Sequence, residues 1–173
     1  DLKLDPAKLQ AGGESKPRRF GEKKSSSMIA SLERAKDSQA LARWIFGLGV
    51  PNVGESSARE MARLHRSFAE VAGSEILKDI TEAAALEAQQ KEISPRNKSN
   101  PPKDEAEKFK RKEQFDALKL QIGEIRQWLE KYAISGDVGP VAAGAILAYF
   151  ASEAGRAALE QMGRLGIDPQ SDN

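Results

Sequence analysis

Residues 47–58 read Gly-Leu-Gly-Val-Pro-Asn-Val-Gly-Glu-Ser-Ser-Ala and join two segments with helical periodicity. Before the stretch, apolar side chains recur at Leu41, Trp44, Ile45 and Leu48, the spacing of one face of a helix. A connection this short needs positive φ at some position, and glycine and asparagine adopt it most readily. The stretch therefore predicts a tight turn between two helices, with main chain exposed at its tip.

The same pattern recurs along the chain. Val53-Gly-Glu-Ser-Ser-Ala58 corresponds to Val138-Gly-Pro-Val-Ala-Ala143, and a weaker copy begins at Phe20-Gly21. In the first two copies a residue tolerant of left-handed backbone, Asn52 or Asp137, precedes the glycine by two positions. We expect the valine to plug the turn from below and the alanine to let the helices approach closely. The amides after each glycine would then lie at a helix N-terminus, where the helix dipole favours anions.

A single glycine-containing turn between helices is usually only a turn. Three copies with shared offsets favour a repeating anionic ligand, and a nucleic-acid backbone is the obvious one. The chain carries 27 basic and 26 acidic residues, a net charge of about +1. Affinity for nucleic acid would therefore depend on local geometry and clustered side chains rather than on bulk charge.

A charged stretch separates the second and last copies. The proline-rich segment 94–103 divides it, and beyond Asp104 the apolar residues follow a spacing of three and four. These residues are Phe115, Leu118, Ile122, Ile125 and Leu129. We expect two long helices that form an antiparallel hairpin projecting from the core; the alternative is a mobile charged insertion.

Several blocks resemble the helix-hairpin-helix domain of bacterial NAD-dependent DNA ligases. They are Arg19-Phe-Gly-Glu-Lys-Lys24 with the following 28–36, Leu41–Glu55, and Val138–Ala143 with Ile146, Tyr149 and Phe150. The resemblance covers about residues 1–74 and 132–168. It implies an all-α fold made of tandem helix-hairpin-helix motifs with an inserted helical hairpin.

The resemblance also implies a division of the chain. Motifs one to three would occupy residues 1–74, with the third in the degenerate stretch Arg66–Val71. A charged helical insertion would follow at 75–131, where the family has only a short link. Motif four and a closing helix would occupy 132–168, and 169–173 would be a tail.

Domains of this family bind duplex DNA along its minor groove without reading its sequence. The resemblance therefore implies a non-catalytic, DNA-binding piece of an enzyme that seals nicks in replication and repair. Hairpin amides would hold phosphates, and basic side chains would add charge. The residues expected at this interface are Arg19, Gly21, Lys23, Lys24, Arg43, Gly49, Asn52, Gly54, Arg59, Gly136 and Gly139.

Two other functions remain open. The chain could be the DNA-binding module of another repair protein that uses the same motifs. It could also be a helical protein-interaction module that docks a partner through residues 75–131.

The catalytic features of family ligases are missing from this sequence. It has no Lys-x-Asp-Gly motif, and without cysteine it has no four-cysteine zinc module. We therefore expect no ligase activity and no cofactor in this chain. NAD, magnesium and zinc would belong to the parent enzyme, whose other domains and nicked duplex DNA are the expected partners. For His65, the single histidine, we expect a surface or helix-end role.

The sequence has neither a membrane-length apolar run nor a signal peptide, which favours a cytoplasmic location. It begins at Asp1 rather than methionine, and we expect it to be a piece of a longer protein.

Overall fold

The computed structural model of the chain describes residues 26–27, 30–31, 34–36 and 39–171. The first hairpin, with the expected interface residues Arg19, Gly21, Lys23 and Lys24, lies outside these residues. About 70% of the described residues are helical and none of them is in a strand, which confirms the all-α class. The chain divides into two units, Asp1–Ala35 and Lys36–Asn173, and the second unit contains the fold described below.

From residue 39 onward the chain forms seven helices. They are α1 (Leu41–Gly47), α2 (Glu55–Leu64), α3 (Phe68–Ala72), α4 (Glu75–Ile93), α5 (Glu105–Glu130), α6 (Pro140–Ala151) and α7 (Glu153–Arg164). No helix of the described residues is both long enough and apolar enough to cross a bilayer.

The core is centred on α6. Helix α6 packs against α3, α4 and α7, while α1 packs against α2. The largest wholly buried side chains come from five different helices; they are Leu41, Ile45, Met61, Val71, Leu77 and Ile146. Phe68 and Phe150 meet edge to face, with ring centroids 6.1 Å apart, and join α3 to α6. Burial of these apolar surfaces is the main contribution to the stability of the fold.

Helices α4 and α5 lie side by side. The Gln90 side chain donates to the Phe115 carbonyl at 3.2 Å, and the Arg126 guanidinium binds the Glu87 carboxylate at 2.8 Å. The expected apolar stripe of α5 is its least exposed face, with Ile122 buried. The spacing of apolar residues had therefore identified the face of α5 that packs against α4.

The main core extends into the segment that we expected to be an insertion. Leu77 is wholly buried in that core and Ile80 packs against it, whereas no residue of 81–133 belongs to it. The first turns of α4 are therefore part of the domain, whereas no side chain from the rest of the α4–α5 hairpin belongs to the main core. The other domain boundaries stay predictions.

The last described residues close the fold. The Leu41 amide donates to the Gln170 carbonyl at 3.0 Å, which links this segment to the start of α1. The Ser171 hydroxyl donates to the Ala62 carbonyl at 2.7 Å, and its amide donates to the Arg66 carbonyl at 3.2 Å. The segment 167–171 thus binds α1 and the end of α2 at the side of the domain away from the α1–α2 turn.

Candidate nucleic-acid interface

The turn between α1 and α2 has the conformation that its sequence predicts. Gly49 has φ 65° and Asn52 has φ 66°, both in the left-handed region. The Val53 amide donates to the Val50 carbonyl at 3.1 Å and closes the turn. Both valines are buried, with 5% and 7% of their surfaces exposed. Val53 therefore plugs the turn, and Gly49, Asn52 and Gly54 are exposed above it.

The connection between α5 and α6 repeats this geometry next to its glycine. Gly139, the N-cap of α6, has φ −93° and ψ 177°, while Gly54, the N-cap of α2, has φ −85° and ψ 179°. The Val138 amide donates to Ser135 at 3.4 Å, as Val53 does to Val50. The two alanines that begin the helical hydrogen bonding, Ala58 and Ala143, are wholly buried. The sequence repeat is thus a structural repeat.

The expectation for Asp137 is wrong. The left-handed residue of the second connection is Ala133, with φ 45°, and neither Asp137 nor Gly136 has positive φ. The Asp137 amide donates to the Ser135 hydroxyl at 3.3 Å, and that hydroxyl donates to the Asp137 carboxylate at 2.9 Å. This pair of hydrogen bonds forms the turn without left-handed backbone at Asp137, and the chain reverses earlier, directly after α5.

The two glycine N-caps leave their helix ends open. Gly54 and Gly139 provide no side-chain cap, whereas Ser67, Ser74, Asp104 and Ser152 cap α3, α4, α5 and α7. Within residues 39–171 no group accepts a hydrogen bond from the Glu55, Ser56 and Ser57 amides of α2 or from the Val141 and Ala142 amides of α6. Pro140, the first residue of α6, has no N–H. A Cβ at either glycine would meet no atom within 4 Å, and both have ordinary negative φ. The fold itself therefore does not require glycine at these two positions.

The basic side chains expected here are both exposed. Arg43 lies on α1, and Arg59 lies one turn beyond the N-terminus of α2. Arg59 Nη2 donates to Glu55 Oε1 at 2.5 Å, and its side chain is 71% exposed. Because Glu55 is the first residue of α2, Arg59 offsets a negative charge beside the open amides. Gly136 is exposed and Gly139 is half-buried at the second hairpin.

A set of hydrogen bonds that the sequence did not reveal joins the two hairpins. The Ser57 hydroxyl donates to the Asp137 carbonyl at 2.7 Å. One Glu60 carboxylate oxygen accepts from the Ser135 amide at 2.7 Å. Arg63 donates to the Tyr132 carbonyl at 2.9 Å. We call Ser57, Glu60 and Arg63 the polar seam; they are spaced three residues apart and face the loop 132–137 along α2.

Glu60 is the centre of the polar seam. Arg63 donates two hydrogen bonds to its carboxylate, at 2.7 and 2.8 Å. These bonds, together with the bond from the Ser135 amide, lower the pKa of Glu60 from its ordinary value of 4.5, although burial acts in the opposite direction. Glu60 is therefore a charged side chain, 8% exposed, with a partner for each oxygen.

His65 has a structural role at the end of α2. It is buried, with 6% of its surface exposed, so the expected helix-end position is right and a surface position is wrong. Nδ1 lies 2.7 Å from the Met61 carbonyl, which can only accept, so Nδ1 carries the proton. Nε2 then accepts from the Ser74 hydroxyl at 2.6 Å, and that oxygen caps α4 at the Leu77 amide. Burial lowers the pKa of His65.

No group of three or more potential metal ligands occurs among the described residues.

Comparison with known proteins relates the chain to a DNA ligase. It is 31% identical over 180 residues to a DNA ligase from Akkermansia muciniphila, in an alignment that covers 96% of this chain and 22% of that protein. The chain thus spans about a fifth of the length of this relative. No family model matches the chain. No solved structure matches it. The chain is similar to one piece of a DNA ligase, and the similarity includes both hairpins and the α4–α5 pair.

Proposed function

We propose that this chain is a non-catalytic, sequence-independent duplex DNA-binding domain of an NAD-dependent DNA ligase, made of helix-hairpin-helix motifs. The amides that follow Gly54 hold phosphate oxygens, and beyond Gly139 the Val141 and Ala142 amides do so, since Pro140 has no N–H. Arg59 offsets the charge of Glu55 beside the amides of α2, and Arg43 adds positive charge. Arg19, Gly21, Lys23 and Lys24 do the same at the first hairpin. The parent enzyme seals nicks in the cytoplasm, with NAD, magnesium and zinc bound by its other domains.

The observation that carries this proposal is the pair of open glycine N-caps. Serine or aspartate at either position would cap the helix and stabilise it, since both are better N-caps than glycine. Neither the backbone angles nor the surroundings require glycine there. A ligand that must approach the amides closely explains the choice, because any side chain at this position would separate a phosphate from them.

The chemistry of the two sites predicts what kind of DNA contact they make. Main-chain amides at a helix N-terminus bind phosphate oxygens and do not reach base edges. Binding is therefore independent of sequence and weakens with salt, by about 0.9 units of log K per log salt for each phosphate neutralised.

Replacing each glycine by aspartate tests the proposal because folding and binding should respond in opposite directions. The carboxylate caps the helix, which we expect to raise the free energy of unfolding by a few tenths of a kcal/mol. The same carboxylate repels a phosphate at the amides, and we expect about a tenfold loss of affinity, or about 1.4 kcal/mol. Fluorescence anisotropy with a labelled nicked duplex at several salt concentrations measures affinity, and urea unfolding measures stability.

Gly163→Asp is the matched control. Gly163 is an exposed glycine of α7 whose added Cβ also meets no atom within 4 Å, so the variant adds the same charge away from the hairpins. The proposal predicts unchanged affinity for this variant. If the unmodified chain does not bind duplex DNA at low salt, or if all three variants bind alike, the proposal is wrong.

A helical protein-interaction module is the second candidate. The observation that favours it is the exposure of two large apolar side chains on α5, Phe109 at 65% and Leu120 at 72%. They are eleven residues apart and so lie on one face of the helix. Shortening the α4–α5 hairpin separates the two functions.

A further inference from the structure

We infer that the polar seam positions loop 132–137, between α5 and α6, so that the open N-termini of α2 and α6 bind the same DNA duplex. The inference rests on the proposed function. Ser57, Glu60 and Arg63 are positioning residues for DNA binding. They act through the loop and do not contact DNA themselves.

The seam holds the loop along its whole length. Arg63 binds the carbonyls of Tyr132 and, at 3.3 Å, Ala133, where the chain leaves α5. Glu60 binds the Ser135 amide in the middle of the loop, and Ser57 binds the Asp137 carbonyl two residues before Gly139. Main-chain groups at the start, middle and end of the loop are thus bound to one face of one helix.

These bonds also limit how far apart the two open helix ends lie. Ser57 is within one turn of Gly54, a rise of about 5 Å, and two residues from Asp137 to Gly139 span at most about 7 Å. With the 2.7 Å hydrogen bond, and about 2.4 Å from each of its oxygen atoms to the Cα of the same residue, the two glycines are within about 20 Å of each other. Duplex DNA carries one charge per about 1.7 Å of axis, so both sites can meet phosphates of the same duplex at once.

The composition of the seam favours a positioning role over a stabilising one. The Arg63 side chain is 42% exposed beside the buried Glu60, and an ion pair that solvent reaches contributes at most about 1 kcal/mol to stability. Apolar contacts would hold the loop against α2 without setting its height along the helix. Directional bonds from three side chains to four main-chain groups set that height.

The repeat supplies a mild variant. Ala142 occupies, after Gly139, the position that Ser57 occupies after Gly54, and both residues are buried in the first turn of their helices. Alanine is therefore compatible with a hairpin helix at this position. Ser57→Ala removes the bond to the Asp137 carbonyl and changes no charge.

The test is a set of double-variant cycles measured as DNA affinity. Ser57→Ala and Arg63→Met are each combined with Gly139→Asp and, separately, with Gly54→Asp. We expect each seam variant to weaken binding of the labelled nicked duplex by about three- to tenfold and to reduce the salt slope by about 0.9, the loss of one phosphate. In the seam variants, Gly139→Asp should then cost less than about twofold, while Gly54→Asp keeps its full effect.

This asymmetry distinguishes positioning from general destabilisation, which would alter the effects of both aspartates alike. Arg164→Met is the control, because it removes an exposed ion pair with Glu160 at the end of α7. If Arg63→Met unfolds the chain, the uncharged Ser57→Ala carries the test alone. If Gly139→Asp still causes its full loss of DNA affinity in folded seam variants, this inference is wrong and the proposed function is unaffected. A chain that binds no duplex would overturn both.

Discussion

At the scale of single residues, Gly49 and Gly54 in the turn between α1 and α2 are glycine for different reasons. Gly49 has left-handed backbone, which a side chain disfavours, whereas Gly54 has extended backbone that any residue adopts. A Cβ would meet no atom within 4 Å at either position. Conformation therefore explains Gly49, whereas neither conformation nor packing explains Gly54, for which we propose that an open helix end is needed.

Gly49→Ala should lower the free energy of unfolding by about 1–2 kcal/mol, the cost of left-handed backbone for a residue with a side chain. Gly47→Ala is its control, since Gly47 also has open space around it but does not have positive φ. We expect that control to be neutral or slightly stabilising. Urea unfolding followed by circular dichroism measures both, and equal effects would contradict the conformational explanation.

His65 makes the stability of the fold depend on pH. Burial lowers its pKa below the ordinary value of 6.5, so the unfolded chain binds a proton more readily than the folded one. This contribution to stability is complete above pH 6.5 and decreases as the pH falls from there toward the pKa of the folded state. Glu60 acts at lower pH. Its lowered pKa contributes stability that is complete above pH 4.5 and is lost as the pH falls below that value.

We therefore expect the urea concentration at which half of the unmodified chain is unfolded to decrease as the pH is lowered from 7.5 to 5. His65→Gln removes the titrating group and should give a flatter profile over the same interval, at a lower overall stability. Identical slopes for the two proteins would mean that His65 does not account for the pH dependence.

At the scale of helices, α6 and α7 meet at an unusually close corner. Ser152 ends one helix and begins the next; its hydroxyl donates to the Tyr149 carbonyl at 2.6 Å and accepts from the Gly155 amide at 3.0 Å. A Cβ on Gly155 would lie 1.9 Å from the Tyr149 carbonyl oxygen. The corner can therefore form only with glycine at this position.

Gly155→Ala should destabilise the chain by about 3 kcal/mol, because the clash is with main chain that cannot move aside without opening the corner. Gly163→Ala, in the same helix but with no atom within 4 Å of the added Cβ, should be neutral or stabilising by up to about 1 kcal/mol. Thermal unfolding of the two variants gives the comparison, and a small loss for Gly155→Ala would show that the corner relaxes.

Local sequence patterns predicted most of the helices and missed the contacts between distant segments. The spacing of Phe115 and its partners predicted the inner face of α5. The turn at Gly49 and Asn52 was predictable because its residues are adjacent in the chain. The polar seam was not visible, since Glu60 and Ser135 are 75 positions apart and a buried carboxylate looks like a solvated one in the sequence. Asp137 misled for a related reason: its turn depends on a hydroxyl bond rather than on backbone preference.

At the scale of the whole molecule, the α4–α5 hairpin contributes little to the main core of the described fold. The core has no member from residues 81–133, and the buried side chains of that segment are Ala83 and Ile122. Removing most of the hairpin should therefore leave the rest folded, provided that the first turns of α4, with Leu77, remain.

Replacing residues 91–118 by a short glycine-serine turn tests the two candidate functions together. We expect the shortened chain to unfold cooperatively and to bind the labelled nicked duplex within about twofold of the full chain, because both hairpin tips and the polar seam are retained. A loss of DNA affinity without loss of folding would place part of the interface on the hairpin. Retained DNA affinity together with loss of a protein partner would show a second, separate function.

Helix α5 is one unbroken rod of 26 residues, about 39 Å long, and its last turn leads directly into the loop that the polar seam holds. A force applied near Phe109 would be transmitted along α5 to that loop, where Ser57, Glu60 and Arg63 would resist it. A partner that pulls on the far end of the α4–α5 hairpin would therefore change the distance between the two open helix ends.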